Sequence, residues 1–279
     1  MFDSPFVQRL VVLALDEDHA RNDITAKITV PAGHLSKAKV IARQRLVVCG
    51  LDIVPVIVKE GGWSLSVTKQ SADGAWAEDG DILVELAGST RELLAAERTI
   101  LNFLQRLSGV ATSTRVFCEG VKGLKILDTR KTMPGWRLLD KYAVRIGGAT
   151  NHRFSLADMV LVKNNHIDAH PGGIKGALSD VVSHKPQGMP WEVEVRNLDE
   201  LRVALSFKPT MIMLDNFKDD ALTEAISVVR ASGHKPTLEV SGGVSKSRLP
   251  VIEATGVDAV SVGALTTQAP NVDISMRIL

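Results

Sequence analysis

Six short apolar runs punctuate the second half of the chain: "KILD" from Lys125, "MVLVK" from Met159, "WEVEVR" from Trp191, "MIMLD" from Met211, "TLEVSGG" from Thr237 and "DAVSVGA" from Asp258. Helix-like pieces lie between them, among them "LDELRVALSF", "ALTEAISVVRASG" and "SKSRLPVIEATG". A short, nearly continuous apolar run reads as a strand buried on both faces, and helices between successive strands make the sheet parallel. This rhythm predicts an α/β barrel with fewer strands than the usual eight. Each run also ends on a polar or glycine-rich group: Arg130 and Lys131, Lys163, Glu194 and Arg196, Asp215 and Asn216, Ser241 to Gly243, and Val262 to Ala264. In parallel α/β barrels the C-terminal strand ends form the active face. Any one of these groups could be an ordinary strand exit, but six together point to a site.

The first hundred residues have another texture. "SPFVQRLVVLALDED" carries apolar residues at helical spacing behind a Ser-Pro start, and "KAKVIARQRLVVCG" alternates like a half-buried strand. "WSLSVTK" and "DILVELAG" read as further strands, with Asp-Gly turns at 73–74 and 79–80. "STRELLAAERTILNFLQRL" opens on Ser-x-x-Glu, a capping box, and reads as one long helix. The expected organisation is an α+β domain over residues 1–108, completed by the tail 266–279, and a barrel domain over 109–265.

Net charge is only +1, so composition gives no general pull toward nucleic acid or an anionic membrane. The charge is nevertheless unevenly placed. Between Val121 and His166 nine Lys/Arg face three acids. Cys49 and Cys118 stand apart in apolar surroundings without metal-ligand spacing, and read as buried thiols. No run approaches the ~20 apolar residues of a membrane span, so a cytoplasmic protein is expected.

The strand ends suggest chemistry. Glycines in "SGGVS" and "VGALT" let backbone N–H groups approach a phosphate, and the loops after the last barrel strands are the usual phosphate site. Glu194 and Asp215 are two carboxylates on the same face, suited to Mg²⁺ with a diphosphate or to an oxocarbenium-like centre; a structural ion pair with Arg196 or Lys163 is the plainer alternative. Alternation puts Glu192 and Glu194 on one face of "WEVEV", so one or both point into the barrel. Arg130, Lys131, His152, Arg153 and Lys163 make a dense cationic group, whose self-repulsion an anionic ligand would relieve. A substrate with several acidic groups follows. An RNA-binding face is disfavoured, because only Trp136, Tyr142 and Phe154 supply aromatics there.

The segments "DITAKITVPAG", "AAERTILNFLQRLSGVAT", "LDTRKTMPGWRLLDKYAVRIGGATNHRFSLADMVLVKNNHI", "EVEVRNLDEL", "IMLDNF", "LEVSGGV" and "VGALTTQAP" closely resemble the quinolinate phosphoribosyltransferase family, in family order and over most of the chain. The resemblance implies an N-terminal α/β sandwich and an incomplete parallel α/β barrel. It also implies conversion of quinolinate and phosphoribosyl pyrophosphate to nicotinate mononucleotide, carbon dioxide and pyrophosphate with Mg²⁺. On matching motifs, Arg130, His152, Arg153 and Lys163, flanked by Thr129, would bind the quinolinate carboxylates, with Lys131 near both substrates. Glu194 and Asp215 would face the ribose and its Mg²⁺-bound pyrophosphate, and Ser241, Gly242, Gly243, Val262, Gly263 and Ala264 the 5-phosphate. Arg98 would reach the site of a neighbouring subunit in a homodimer or higher oligomer.

Other readings stand beside this one. The chain departs from the usual family pattern at Ala149, Ser155 and Asn164, beside the acceptor pocket, and at Met133 and Trp136 in the turn after Arg130-Lys131. A related branch, associated with molybdate transport, would keep the fold and take another base acceptor. Lys163 at a strand end would also suit a Schiff-base lyase if it were desolvated among other cations. A catalytically silent regulatory or scaffold relative is the third.

Overall fold

The computed structural model describes all 279 residues, which divide into two compact units. The first comprises Met1–Val116, Thr132–Gly148 and Leu265–Leu279; the second comprises Phe117–Lys131 and Ala149–Ala264.

The first unit is built on an antiparallel sheet of β1 (Leu35–Ala42), β2 (Ser66–Lys69), β3 (Ile82–Ser89) and β10 (Ile274–Ile278), in the order β10-β1-β3-β2. The tail therefore enters this sheet, Val40 lying opposite Met276 and Ala38 opposite Ile278. Its helices include Pro5–Glu17, capped by the Ser4 hydroxyl, and the 29-residue helix Thr90–Cys118. Glu92 does not close a capping box: its carboxylate accepts the Ser64 N–H at 3.0 Å instead.

The unit also takes in Thr132–Gly148, which strand rhythm assigns to an uninterrupted barrel segment over 109–265. The reason is packing. Trp136 stacks on Phe103 with ring centres 4.7 Å apart, and buried Asp140 pairs with Arg106 at 3.1 Å. At Gly147 any side chain would strike Thr114 and the Ala111 carbonyl, so two helices touch backbone to backbone. Cys49 is buried, whereas Cys118, at the end of the long helix, is only half-buried.

The second unit holds six strands: β4 (Lys125–Leu127), β5 (Val160–Val162), β6 (Trp191–Val195), β7 (Met211–Asp215), β8 (Thr237–Ser241) and β9 (Ala259–Ser261). They are all parallel, in the order β4-β9-β8-β7-β6-β5. Each of the six apolar runs is one of these strands. Val193, Val195, Ile212, Leu214 and Val240 are fully buried, each worth about 1.5–3 kcal/mol of apolar burial. Helices Leu198–Ser206, Asp219–Ala231 and Leu249–Thr255 connect successive strands.

The sheet curls into an open barrel. Beyond β4, Thr150 forms a further parallel bridge to Leu127, and two residues on, His152 reaches Glu192 of β6 at 3.1 Å. Four strand spacings separate β4 from β6, roughly 19 Å if the sheet were flat. Only a curled sheet lets that contact form, and the fold is thus an incomplete parallel α/β barrel accompanied by an α+β unit.

Candidate active site

At the C-terminal ends of the second unit's strands lies a cavity of about 680 Å³. Strand alternation aims Leu161 and Lys163, Met213 and Asp215, and Glu239 and Ser241 into it. The cavity gathers five cationic or imidazole side chains expected from the sequence: Arg130, Lys131, His152, Arg153 and Lys163. Thr129 joins them, its hydroxyl accepting the Lys131 N–H at 3.0 Å.

The two arginines are the clearest anion-binding elements. Arg130 Nε is buried and has no hydrogen-bond partner within the chain, a donor whose satisfaction requires an incoming acceptor. Arg153 donates through Nη1 to the Met159 carbonyl at 3.0 Å. Burial, with the neighbouring Arg130 charge, holds its guanidinium below the ordinary arginine value. Lys163 is half exposed, and its Nζ lies 4.0 Å from Glu194 Oε2. The desolvation that a Schiff-base lysine requires is absent, so the lyase reading loses its premise.

His152 is held differently from the other cationic candidates. Nε2 meets Glu192 Oε2 at 3.1 Å, and Nδ1 accepts the Arg153 N–H at 2.8 Å. A ring that accepts at Nδ1 carries its proton on Nε2. In this arrangement neither nitrogen is open to a substrate carboxylate. Burial alone would lower the imidazole, but hydrogen bonding and charge from Glu192 and Glu239 outweigh it and raise it to about 9. Glu239 Oε2 approaches the same Nε2 at 3.4 Å, a longer contact than that of Glu192. Two demands therefore oppose each other at one ring: the carboxylates favour a second proton, and the Arg153 N–H occupies its place.

The acids are more numerous than the sequence reading allowed. Glu192 and Glu194 both face the barrel interior; Glu192 and Glu239 are fully buried, and Glu194 nearly so. Burial raises the Glu192 carboxyl, against the lowering pull of its bond to His152, and Glu239 adds to the rise. Fully buried Asp128 accepts the His152 N–H at 2.8 Å and the Asn151 amide at 2.7 Å, tying the 150–153 segment beside β4. Acid and base thus alternate through the site. Repulsion among its cations is relieved partly from within.

His152, Glu192 and Glu239 are also close enough to suggest a metal centre. Their donor set does not fit one, because Nε2 bears the proton and has no lone pair to give. Glu194 and Asp215 fit a hard divalent ion better. Both offer carboxylate oxygen to the cavity without a third protein ligand, the arrangement in which Mg²⁺ is bound mainly through substrate phosphates.

Next to Asp215 on the neighbouring strand, Ser241, with Gly242 and Gly243 after it, lines the cavity as expected. Val262, Gly263 and Ala264 do not line it. Val262 is buried and its N–H is spent on the Leu127 carbonyl at 2.9 Å, while Ala264 opens a helix of only four residues. Gly263 contributes by what it lacks: a Cβ there would meet Lys131 Cδ at 3.0 Å. Arg98 belongs to the long helix of the first unit. Asn216, named with Asp215 at its strand end, lines the cavity too, and Asp128 and Glu239 join it unannounced by the sequence. Alternation along "TLEVS" would have found Glu239, since it shares a face with Ser241.

Barrel, cationic pocket, paired carboxylates and glycine turn together define a site for a polyanionic small molecule and a phosphorylated partner. Residues 23–108 match the family model described as quinolinate phosphoribosyl transferase, N-terminal domain, and residues 110–277 match its C-terminal domain. A nicotinate-nucleotide pyrophosphorylase [carboxylating] of Mycobacterium leprae is 40% identical over 262 residues, spanning 92% of this chain and 91% of the relative. A probable enzyme of the same name from Methanocaldococcus jannaschii is 37% identical over 98% of each chain. The solved structure of the nicotinate-nucleotide pyrophosphorylase from Francisella tularensis superposes with a TM-score of 0.90 at 39% identity, covering 98% of this chain and 96% of that one. The chain belongs to the quinolinate phosphoribosyltransferase family.

Proposed function

We propose that this chain transfers phosphoribose from phosphoribosyl pyrophosphate to quinolinate with loss of carbon dioxide, forming nicotinate mononucleotide for NAD biosynthesis. The observation that carries the acceptor half is the buried, unpartnered Nε of Arg130 in a cavity shared with Arg153. Two guanidinium forks suit a pyridine bearing two carboxylates, each able to take a bidentate pair. Lys163 adds a third cation, and His152, tied to Glu192, supports the segment that carries Arg153.

The chemistry follows from the placement of charge. The pyridine nitrogen attacks the ribose anomeric carbon as pyrophosphate leaves, and Glu194 and Asp215 stabilise the positive character that develops there. Lys131 lines the same cavity and is assigned a place near both substrates. With the nitrogen quaternised, the C2–carboxylate bond breaks, carbon dioxide departs, the electron pair left on C2 is stabilised by the adjacent positive nitrogen, and C2 then takes a proton from water to give nicotinate mononucleotide. The cationic pocket contributes mainly orientation. Ser241 to Gly243 are assigned to the 5-phosphate. Phosphoribosyltransferases commonly use a metal ion; here Glu194 and Asp215 would hold Mg²⁺ through the pyrophosphate, and it would neutralise the leaving group.

No helix of the structure is long and apolar enough to cross a membrane, and we place the reaction in the cytoplasm. We also assign the active form to a homodimer or higher oligomer, in which Arg98 of the partner subunit completes each site. The direct test incubates purified protein with quinolinate, phosphoribosyl pyrophosphate and Mg²⁺. Nicotinate mononucleotide is the expected product. Pyrophosphate release with another pyridine acid, and none with quinolinate, would select the molybdate-associated branch instead.

A further inference from the structure

Asn216 follows the last residue of β7 and holds φ at 57°, a left-handed conformation that asparagine tolerates better than other side-chain-bearing residues. Its side-chain Nδ2 donates to Asp215 Oδ2 at 2.9 Å. Its backbone N–H donates to the Ser241 carbonyl at 2.9 Å, so it joins the ends of neighbouring strands β7 and β8. Its amide also lies against Gly242, where any Cβ would overlap Asn216 Oδ1 and Cγ. Gly242 has φ of 85°, which removes the conformational cost of that close approach. One residue therefore touches the carboxylate on one side and the glycine turn on the other, and all of them line the cavity.

We propose that Asn216 is a positioning residue: it fixes the direction of the Asp215 carboxylate and the path of the Ser241–Gly243 turn together, preforming the half of the site that receives the phosphoribosyl donor. The proposal rests on the phosphoribosyltransferase reading above. Without the Nδ2 donor, the Asp215 carboxylate at the cavity wall is free to turn toward solvent. Without an amide of this length against Gly242, the turn loses the surface on which it rests. The acceptor side, built on Arg130, Arg153 and Lys163, contacts neither group through Asn216.

Two substitutions separate positioning from simple packing. Asn216→Gly retains the left-handed backbone and deletes the amide. Asn216→Asp retains both backbone and shape but sets a carboxylate against Asp215. Equilibrium dialysis of phosphoribosyl pyrophosphate with Mg²⁺ and no acceptor measures donor binding in the full-length protein; quinolinate affinity and Tm are measured alongside. Asn216→Gly should weaken donor binding on the order of tenfold, the usual effect of losing a hydrogen bond to a charged group. Asn216→Asp should weaken it at least as much, with quinolinate affinity retained in both. A packing role gives the reverse rank, with the isosteric Asp variant close to wild type. Donor binding by Asn216→Asp at wild-type strength, or loss of quinolinate in step with the donor, would overturn the proposal and leave the phosphoribosyltransferase reading intact. Wild-type protein that fails to bind the donor would overturn both.

Discussion

Arg130 and Arg153 face one cavity, and what distinguishes them is how their donors are used. Arg153 is anchored by the Met159 carbonyl, so it arrives pre-aimed, while Arg130 keeps a buried donor for a ligand. Replacing Arg153 by Ala should raise the KM for quinolinate by about tenfold to a hundredfold, with donor binding little changed. Initial rates at varied quinolinate decide it; an unchanged KM contradicts the role. His152 makes a separate claim about pH. Its folded value is raised to about 9, so the folded state binds more protons than the unfolded chain. The stabilisation is complete below about pH 6.5 and disappears as pH rises through 9, and the raised Glu192 carboxyl acts in the same sense. Its size is at most about 3 kcal/mol, reduced by the Arg153 N–H that competes for Nδ1. Urea midpoints should therefore fall between pH 6.5 and 9, and Glu192→Gln should flatten that fall. An equal fall in the variant would show that other groups are responsible.

Elements show where close approach, rather than apolar area, sets the geometry. Gly109 lies in the middle of the helix Thr90–Cys118, where alanine would ordinarily stabilise by about 1 kcal/mol. Here a Cβ would overlap the Pro270 carbonyl of the C-terminal tail. Gly109→Ala should destabilise by about 1–3 kcal/mol, lowering Tm by several degrees. A Tm equal to or above wild type would mean that the tail yields without cost. The same distinction explains what the sequence made legible. All six barrel strands were readable because burial on both faces leaves an apolar run that needs no knowledge of neighbours. The 150–152 segment beside β4 was not, because it is held by Asp128 and backbone bonds instead of apolar side chains. Thr132–Gly148 was assigned to the barrel because its neighbours in sequence belong there; Phe103, Arg106 and Thr114, which hold it in the first unit, lie up to 34 residues away.

At the scale of the molecule, the catalytic reading depends on both chemistries meeting in one cavity. Strand-end residues and the family resemblance identified most of that cavity's wall, since the residue types themselves announce an anion or a phosphate. What they did not disclose was state: that His152 spends both nitrogens within the protein, that Glu239 is a second buried carboxylate against the same ring, and that Val262 does not line the cavity. Such facts depend on partners that only the folded chain brings together. Arg98 raises the question of assembly. If the partner subunit's Arg98 completes each site, then Arg98→Ala and Arg153→Ala proteins, each impaired alone, should regain about a quarter of wild-type activity when refolded together, because a mixed dimer keeps one intact site. No recovery in verified mixed dimers would confine Arg98 to its own chain. The central claim is that phosphoribosyl transfer and decarboxylation are one coupled event in this barrel. Quinolinate labelled at the 2-carboxylate tests it most directly: carbon dioxide should be released one for one with pyrophosphate, and only when phosphoribosyl pyrophosphate and Mg²⁺ are present. Carbon dioxide released without the donor, or pyrophosphate formed with the label retained, would contradict it.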